Sequence, residues 1–157
     1  MWTVMDSPVG ELRIVQQDGG ITAVEFEPFP AERPVGERND DDPLLRAARE
    51  QLTAYFAREL EEFDLPLAPQ GTPFQRRVWA ELERIEYGKT ASYGEIARRL
   101  GMTNAASRAV GLANGRNPVA IVVPCHRVVG ADGKLTGYAG GLDRKQTLLE
   151  LEQPALF

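Results

Sequence analysis

The sequence contains very little cysteine and histidine: its 157 residues include one of each, the neighbours Cys125 and His126. A single cysteine cannot form an internal disulfide, and one cysteine with one histidine cannot build a structural zinc site. The sequence also lacks any apolar run close to the roughly 18 residues of a membrane-spanning helix. Its first residues lack the basic and apolar segments of a secretory signal. We therefore expect a soluble, cytoplasmic protein that has no metal site, needs no cofactor and does not enter a membrane.

Positive charge is scarce in the first half of the chain. Residues 1–70 hold 6 Lys/Arg against 15 Asp/Glu, whereas residues 71–157 hold 12 Lys/Arg against 8 Asp/Glu. The net charge of −5 would argue against a nucleic-acid partner, but the basic second half permits one. The change in charge balance near residue 70 predicts two domains, over residues 1–70 and 71–157.

The first 70 residues combine short strand-like runs with one helical pattern. Asp42 before a proline is a helix-start signal, and apolar residues follow it at helical spacing. Turn-forming clusters separate the apolar runs that precede it. The predicted elements are strands over 2–5, 11–16 and 21–27, a loop over 29–42, a helix over 43–60 and a segment compatible with a strand over 63–67. This half predicts a small sheet backed by a helix, and we assign it a structural role.

The second half begins with helical patterns. A proline-marked start and apolar residues at helical spacing predict a helix over 73–85. Ser92 and Glu95 match a capping box that begins a helix to Leu100, and a short Ala/Gly-rich helix follows over 104–114. Two helices joined by a glycine-containing turn form the helix-turn-helix pattern. This signal is weak by itself, because many helical hairpins bind nothing.

The helix over 104–114 has a nearly flat surface from which Arg108 projects. Its alanines and glycines would let its backbone approach a phosphate-lined groove closely. The alternative is tight packing between helices, with Arg108 merely solvated. Further along, a glycine-containing turn predicts a hairpin that pairs 128–129 with 134–135, and a last helix is predicted over 143–152.

Cys125 and His126 follow an apolar run over 119–123. A free thiol has a pKa of about 8.5, so it needs a neighbouring base to become a nucleophile at neutral pH. An imidazole can be that base, directly or through one water. The alternative is that Cys125 is a small buried apolar residue that closes a core strand. Because neighbouring residues in a strand point to opposite faces, His126 can serve Cys125 only if the chain turns at 124–125 or a water bridges them.

Several segments resemble the O6-alkylguanine-DNA alkyltransferases, also called methylated-DNA–protein-cysteine methyltransferases. The matching segments are Ile-Val-Val-Pro-Cys-His-Arg-Val at 121–128, Tyr87-Gly88, Ser92-Tyr93-Gly94, Arg-Ala-Val-Gly at 108–111, Asn117-Pro118, Gly-Tyr-Ala-Gly-Gly at 137–141, Lys145, Leu148-Leu149 and Glu152. The resemblance is dense over 71–152, and the first 70 residues match only in layout. It implies an α/β (α+β) fold. A small ribonuclease H-like N-terminal domain would precede a mostly helical, winged-helix-like domain that carries the helix-turn-helix.

The resemblance implies direct-reversal DNA repair. Cys125 would take the alkyl group from O6-alkylguanine, and also from O4-alkylthymine, irreversibly and once per molecule. His126 would activate the thiol through a water and would be oriented by Glu152. Asn117 would hold the reactive segment, residues 121–128, in shape, and Tyr93 would assist the leaving guanine oxyanion. The residues implied to bind the substrate base are Tyr93, Val128, Tyr138, Ala139 and Lys145.

The implied partner is double-stranded DNA, bound through its minor groove with the target nucleotide flipped out of the stack. Arg108 would enter the stack in its place. The residues implied to contact DNA are Ser92, Arg108, Ala109, Gly111 and Arg127. We expect a monomer in solution that could assemble cooperatively on DNA.

Two departures from the family pattern and three alternatives complete the prediction. Ala139 stands where many members have serine, so one hydrogen bond to the substrate oxygen could be missing. The zinc site that some members carry in the N-terminal domain has no Cys or His here to build it. The alternatives are a non-catalytic protein that binds alkylated DNA, a helix-turn-helix regulator with Cys125 inert in the core, and a thiol hydrolase.

Overall fold

The computed structural model of the protein describes residues 1–31 and 36–153. The chain forms two compact units, Met1–Gln70 with Pro118–Ala120, and Gly71–Asn117 with Ile121–Phe157. The return of Pro118–Ala120 to the first unit has no counterpart in the sequence-based division at residue 70. Part of the predicted loop, residues 32–35, and the end of the predicted second domain, residues 154–157, lie outside the described residues.

A three-stranded antiparallel sheet forms the centre of the first unit. Its strands are β1 (Trp2–Met5), β2 (Leu12–Gln17) and β3 (Gly20–Phe26), in that order across the sheet. Helix α1 (Pro43–Phe56) packs on it through the buried side chains Leu45, Leu52 and Tyr55. The three predicted strands and the helix start are confirmed. Asp42 caps the helix, because its Oδ2 accepts a hydrogen bond of 3.1 Å from the Leu45 N–H.

Two predictions about this unit are wrong. Helix α1 ends at Phe56 instead of residue 60, because Arg58 adopts a left-handed conformation with φ of 60°. The next N–H, from Glu59, then donates back to the Ala54 carbonyl at 2.8 Å, which is the bond that closes a Schellman C-cap. No strand forms over 63–67 in the described chain, where Leu67 makes only an isolated bridge to Ile21.

The segment Pro118–Ala120 lies beside β3. The Val24 N–H donates to the Pro118 carbonyl at 3.0 Å, and the Ala120 N–H donates to the Val24 carbonyl at 3.2 Å. Val119 is fully buried there. The backbone immediately before the reactive segment is therefore fixed by the sheet of the first unit.

The second unit is mostly helical. Its elements are α2 (Pro73–Leu82), β4 (Ala91–Ser92), α3 (Tyr93–Arg99), α4 (Ser107–Gly115), β5 (Val128–Val129) and α5 (Leu142–Glu152), with single 3₁₀ turns at Asn104–Ala106 and Cys125–Arg127. The predicted helices are confirmed with small shifts at their ends. Ser92 caps α3 in the predicted capping box, and Thr72 caps α2 in the same way. The mixed α/β fold class, a small sheet unit followed by a helical unit, is confirmed.

The predicted hairpin after the reactive segment is wrong. Strand β5 pairs in parallel with β4, Ala91 opposite Val128 and Ser92 opposite Val129. Lys134 only closes a turn, in which its carbonyl accepts from the Gly130 N–H at 3.0 Å. The consequence for the site is that the backbone after Cys125 is joined to the start of α3. Among the described residues, no helix is long and apolar enough to cross a lipid bilayer.

Candidate active site

The reactive segment is a sequence of turns. Ile121 has φ of 72°, which is unusual for a β-branched residue and costs on the order of 1–3 kcal/mol. The Val123 carbonyl accepts two hydrogen bonds of 2.8 Å, from the Cys125 N–H and from the Asn117 side-chain amide. A 3₁₀ turn over Cys125–Arg127 follows. The alternative of a core strand that ends at Cys125 is therefore wrong. The chain turns at this point, as one of the two arrangements that could let His126 serve Cys125.

Cys125 is buried, with 4% of its surface exposed. Burial raises the pKa of its thiol, while hydrogen bonds from the Asn117 and Tyr138 side chains and the charge of Lys145 act in the opposite direction. The net rise means that the thiol is protonated at neutral pH. It can become a nucleophile only if a neighbouring base removes that proton.

His126, the next residue in the chain, carries an imidazole. Its ring is fully buried, and its Nε2 lies 2.7 Å from Oε2 of Glu152. Burial lowers the pKa of His126 although Glu152 opposes this change, so the ring is neutral at pH 7. An ionised carboxylate only accepts hydrogen bonds, so Nε2 carries the ring proton and Nδ1 carries the lone pair. Nδ1 is buried and has no hydrogen-bond partner among the residues that the structure describes.

Arg127 holds the carboxylate that orients His126. Its Nε and Nη2 donate to the two oxygens of Glu152 at 2.7 and 3.1 Å, and its Nη1 donates to the Ile85 carbonyl at 2.6 Å. Burial alone would raise the pKa of Glu152, but the hydrogen bonds and charges of His126 and Arg127 lower it to about 2. The guanidinium also lies 5.7 Å from the ring centroid of Tyr87. The side chain of Arg127, for which a DNA contact is predicted, is buried, and its Nε, Nη1 and Nη2 each donate a hydrogen bond within this chain.

Two of the predicted substrate residues meet at Thr136. The hydroxyls of Tyr93 and Thr136 are 2.6 Å apart, and Lys145 Nζ donates to the Val128 and Thr136 carbonyls at 2.6 and 3.2 Å. Lys145 is buried, which lowers its pKa. Thr136 was not predicted, because it belongs to no motif. Of the other predicted substrate residues, Val128 is buried in β5, Tyr138 is half-buried and Ala139 is exposed on the following loop.

The residues predicted to contact DNA differ in exposure. Arg108 and Ala109 are exposed on α4. Gly111 faces Tyr93, and a Cβ built on Gly111 would lie 3.7 Å from the Tyr93 ring. The Ser92 hydroxyl accepts from the Glu95 N–H at 3.1 Å and so serves as a helix cap. Only part of the predicted contact set therefore presents its side chains to a partner.

Two family models match nearly the whole chain. Residues 73–154 match the DNA binding domain of 6-O-methylguanine DNA methyltransferase, and residues 1–69 match its ribonuclease-like domain. The chain belongs to the 6-O-methylguanine DNA methyltransferase family. The predicted resemblance is thereby confirmed.

Named relatives are similar over most of their length. The methylated-DNA–protein-cysteine methyltransferase of Mycolicibacterium paratuberculosis is 54% identical over 97% of this chain and 92% of its own. The protein of the same name from Methanosarcina acetivorans is 50% identical over 96% of this chain and 97% of its own. The crystal structure of Mycobacterium tuberculosis OGT in complex with DNA superposes with a TM-score of 0.85 at 48% identity, covering 98% of this chain and 92% of that one.

Sequence reasoning missed one polar residue that is bonded to the backbone of the cysteine of this family member. Asn114, in the last turn of α4, is 3% exposed. Its Nδ2 donates to the Cys125 carbonyl at 3.4 Å. Its Oδ1 is buried and has no hydrogen-bond partner within the described part of the chain. The sequence signal for this residue is its polar side chain within an Ala/Gly-rich helix. The sequence-based prediction uses it only as the end of that helix.

Proposed function

We propose that this protein repairs alkylated DNA by moving an alkyl group from O6-alkylguanine, and also from O4-alkylthymine, to Sγ of its own Cys125. The observation that carries the proposal is the buried Cys125 thiol beside a neutral His126, in a chain that belongs to the 6-O-methylguanine DNA methyltransferase family. The thiolate attacks the alkyl carbon, an S–C bond forms and the C–O6 bond breaks. The electron pair of that bond stays on the base as an anion shared between O6 and N1, and N1 then takes up a proton, so that guanine is restored.

The His126–Glu152–Arg127 chain supplies the thiolate. Nδ1 of His126 takes the thiol proton, through a water as the family resemblance implies. Glu152 keeps the imidazole in the tautomer with the proton on Nε2, and Arg127 keeps Glu152 ionised. General base catalysis of this kind contributes about 10²- to 10⁴-fold to a rate. The direction of both pKa shifts supports this assignment.

Other groups act on the base and on the reactive turn. We assign Tyr93 to donate a hydrogen bond to the developing O6 oxyanion, with Thr136 as its fixed neighbour. Lys145 supports the loop that would cover the base, because its ammonium group is bonded to two backbone carbonyls. Asn117 holds the turn before Cys125. Val128 and Tyr138 would line the base pocket, and Ala139 offers no hydroxyl to the substrate.

The proposed partner is duplex DNA, bound through the minor groove by α4. The exposed Arg108 would occupy the place of the flipped nucleotide, and Ala109 and Gly111 would let the helix backbone approach the groove. The Ser92 N-cap would fix the orientation of α3 beside the groove. Residues 71–157 would form the DNA-binding and alkyl-acceptor domain and residues 1–70 a structural domain, in a protein that acts as a monomer. A relative crystallised with DNA supports this choice of partner.

The chemistry makes the protein a reagent with a single use. The sequence has one cysteine, so no second thiol of this chain can attack the thioether on Sγ. A non-catalytic damage-binding protein or a regulator is less well supported, because neither would need a thiol beside an oriented imidazole.

The test is intact mass after incubation with a duplex that carries one O6-methylguanine. We expect every active molecule to gain one CH₂ group, mapped to Cys125. The Cys125→Ser variant and an undamaged duplex should give no gain. Binding to the lesion without a mass change would indicate the non-catalytic alternative. Neither transfer nor preference for the lesion would overturn the proposal.

A further inference from the structure

Two buried polar atoms without a protein partner lie on residues that adjoin Cys125 in space or in sequence. They are Oδ1 of Asn114 and Nδ1 of His126. Neither atom has a hydrogen-bond partner among residues 1–31 and 36–153, which are the residues that the structure describes. Buried side-chain acceptors are nearly always satisfied, by protein groups or by ordered water. One of these acceptors lies on a side chain bonded to the Cys125 carbonyl and the other on the residue that follows Cys125, so a single water near the thiol could satisfy both.

The contacts of Asn114 determine which end of its amide is available. Nδ2 donates to the Cys125 carbonyl, and a carbonyl accepts but cannot donate, so the other end of the amide must be the oxygen. The position of the residue is fixed as well. The indole N–H of Trp79 donates to the carbonyl of the preceding Ala113 at 2.8 Å, and both residues are buried. Asn114 thus reaches the reactive turn from α4, on a backbone that is itself held.

We propose that Asn114 is a positioning residue, whose Oδ1 together with Nδ1 of His126 holds the water that accepts the proton of Cys125. The inference rests on the proposed function and deepens it. A water has two O–H donors and can accept from a third group. One donor would bind Nδ1, the other would bind Oδ1, and the water oxygen would accept from the thiol S–H. All three protein groups are then satisfied.

The proton transfer balances. The thiol proton moves to the water while a proton of the water moves to Nδ1, so the imidazole becomes an imidazolium. Sγ keeps the electron pair of the S–H bond and becomes the attacking thiolate. The water is regenerated and remains bound to Oδ1. A neutral amide suits this position, because a carboxylate there would add negative charge next to the developing thiolate and disfavour it.

The test measures two quantities for the full-length protein: the single-turnover rate constant for methyl transfer at saturating O6-methylguanine duplex, and the Kd for the same duplex. We expect Asn114→Leu to lower the rate constant roughly 10- to 100-fold, a part of a general-base effect. Its Kd should stay within about twofold of the unsubstituted protein, because a buried side chain makes no phosphate contact. Asn114→Ser keeps a hydroxyl acceptor in a slightly larger space and should recover most of the rate.

Measuring Asn114→Leu in the His126→Ala variant as well distinguishes a role in positioning the water from a general role in folding. In His126→Ala, the water has no base to serve, so adding Asn114→Leu should change the transfer rate little. Equal loss in both backgrounds would overturn the inference, because it would mean a general structural effect. No loss in Asn114→Leu would overturn it as well. If Asn114→Leu does not fold, Asn114→Ala, which also removes the acceptor, decides in the same way in the two backgrounds.

The failures are distinguishable. If the unsubstituted protein transfers no methyl group, the proposed function fails and the inference fails with it. If transfer occurs and His126→Ala does not slow it, the role of His126 is overturned, and so is that of a water held for it. If His126→Ala slows transfer and Asn114→Leu does not, only the role of Asn114 is overturned.

Discussion

Glu152 shows how neighbours override burial for a single residue. The residue is 5% exposed, and this burial alone would favour the neutral acid. Two donors from Arg127 and the ring of His126 nevertheless keep it ionised, and Arg127 keeps its own charge paired within the same cluster. The reactive site therefore holds a compensated charge pair, and the imidazole can stay neutral beside it.

This arrangement predicts that the free energy of unfolding decreases at acid pH. The pKa of Glu152 falls from an ordinary 4.5 to about 2, so the folded state binds fewer protons than the unfolded state in this range. The stabilisation is complete above about pH 4.5 and is lost as the pH falls through 2, and it amounts to about 3 kcal/mol. His126, whose pKa burial lowers, acts in the same direction and begins to contribute to the loss as the pH falls below 6.5.

Urea unfolding at several values between pH 7 and pH 3 measures this effect. Glu152→Gln should be less stable than the unsubstituted protein at pH 7 and should lose less free energy of unfolding below pH 4.5. Parallel curves for the two proteins would mean that another group carries the acid sensitivity.

Substituting Arg127 should lower stability without weakening the salt-dependent binding of DNA, whereas substituting Arg108 should do the reverse. Arg127→Met leaves Glu152 buried without its ion partner and should lower the free energy of unfolding by about 3–5 kcal/mol. Its slope of log affinity against log salt for duplex DNA should not change, because Arg127 reaches no phosphate. Arg108→Ala should change the free energy of unfolding by less than about 0.5 kcal/mol and should weaken lesion binding by about 1–3 kcal/mol.

Chemical denaturation and DNA titrations at several salt concentrations separate the two arginines. If the slope of log affinity against log salt falls by about one in Arg127→Met, Arg127 does contact DNA, as the family resemblance implies.

Among the helices and strands, local sequence signals predicted best where the helices begin. The Ser92–Glu95 capping box fixes the start of α3, and it could be read directly from the sequence. The parallel pairing of β4 with β5 joins segments that are distant in the chain, and no local pattern encodes it. The left-handed Ile121 is equally invisible, since β-branched residues disfavour that conformation. The motifs indicate the candidate site residues, but the bonds of Arg127 to Glu152 and of Asn114 to the Cys125 carbonyl are visible only in the fold.

The packing of α4 leads to a test of its flat face. A Cβ on Gly111 would meet the Tyr93 ring at an ordinary 3.7 Å, so alanine fits sterically. Gly111→Ala should then stabilise the protein by about 0.5–1 kcal/mol, because glycine is a poor helix former. It should weaken duplex binding by about 1–3 kcal/mol if the helix backbone approaches the groove as closely as proposed.

Thermal melts and duplex titrations check both parts of this prediction. Gly115→Ala is the control for helix propensity, since a Cβ there meets nothing within 4 Å. Unchanged affinity in Gly111→Ala would show that this side of α4 does not need close contact with DNA.

The excess of positive charge and the reactive cysteine belong to the same one of the two units. The acidic balance belongs to the unit built on the three-stranded sheet, since Pro118–Ala120 adds no charge to it. The basic balance belongs to the unit that carries Cys125 and α4. A duplex should therefore be attracted to the unit that reacts with it, and repelled by the other.

The protein should be less stable after it has reacted than before. Cys125 is 4% exposed, and its turn is fixed by Asn114, Asn117 and the 3₁₀ hydrogen bonds. A methyl group on Sγ adds volume to a packed site, which typically costs about 1–3 kcal/mol. For a chain of this size that corresponds to a fall in Tm of roughly 2–12 °C, taking about 2–4 °C per kcal/mol. A benzyl group should lower the Tm further than a methyl group does.

Calorimetry of the unreacted, S-methylated and S-benzylated protein tests this order, and Cys125→Ser incubated with the same duplexes is the control. Equal Tm values would mean that the site has room for the product. A fall that grows with the alkyl group would mean that the spent protein is the least stable form of the chain.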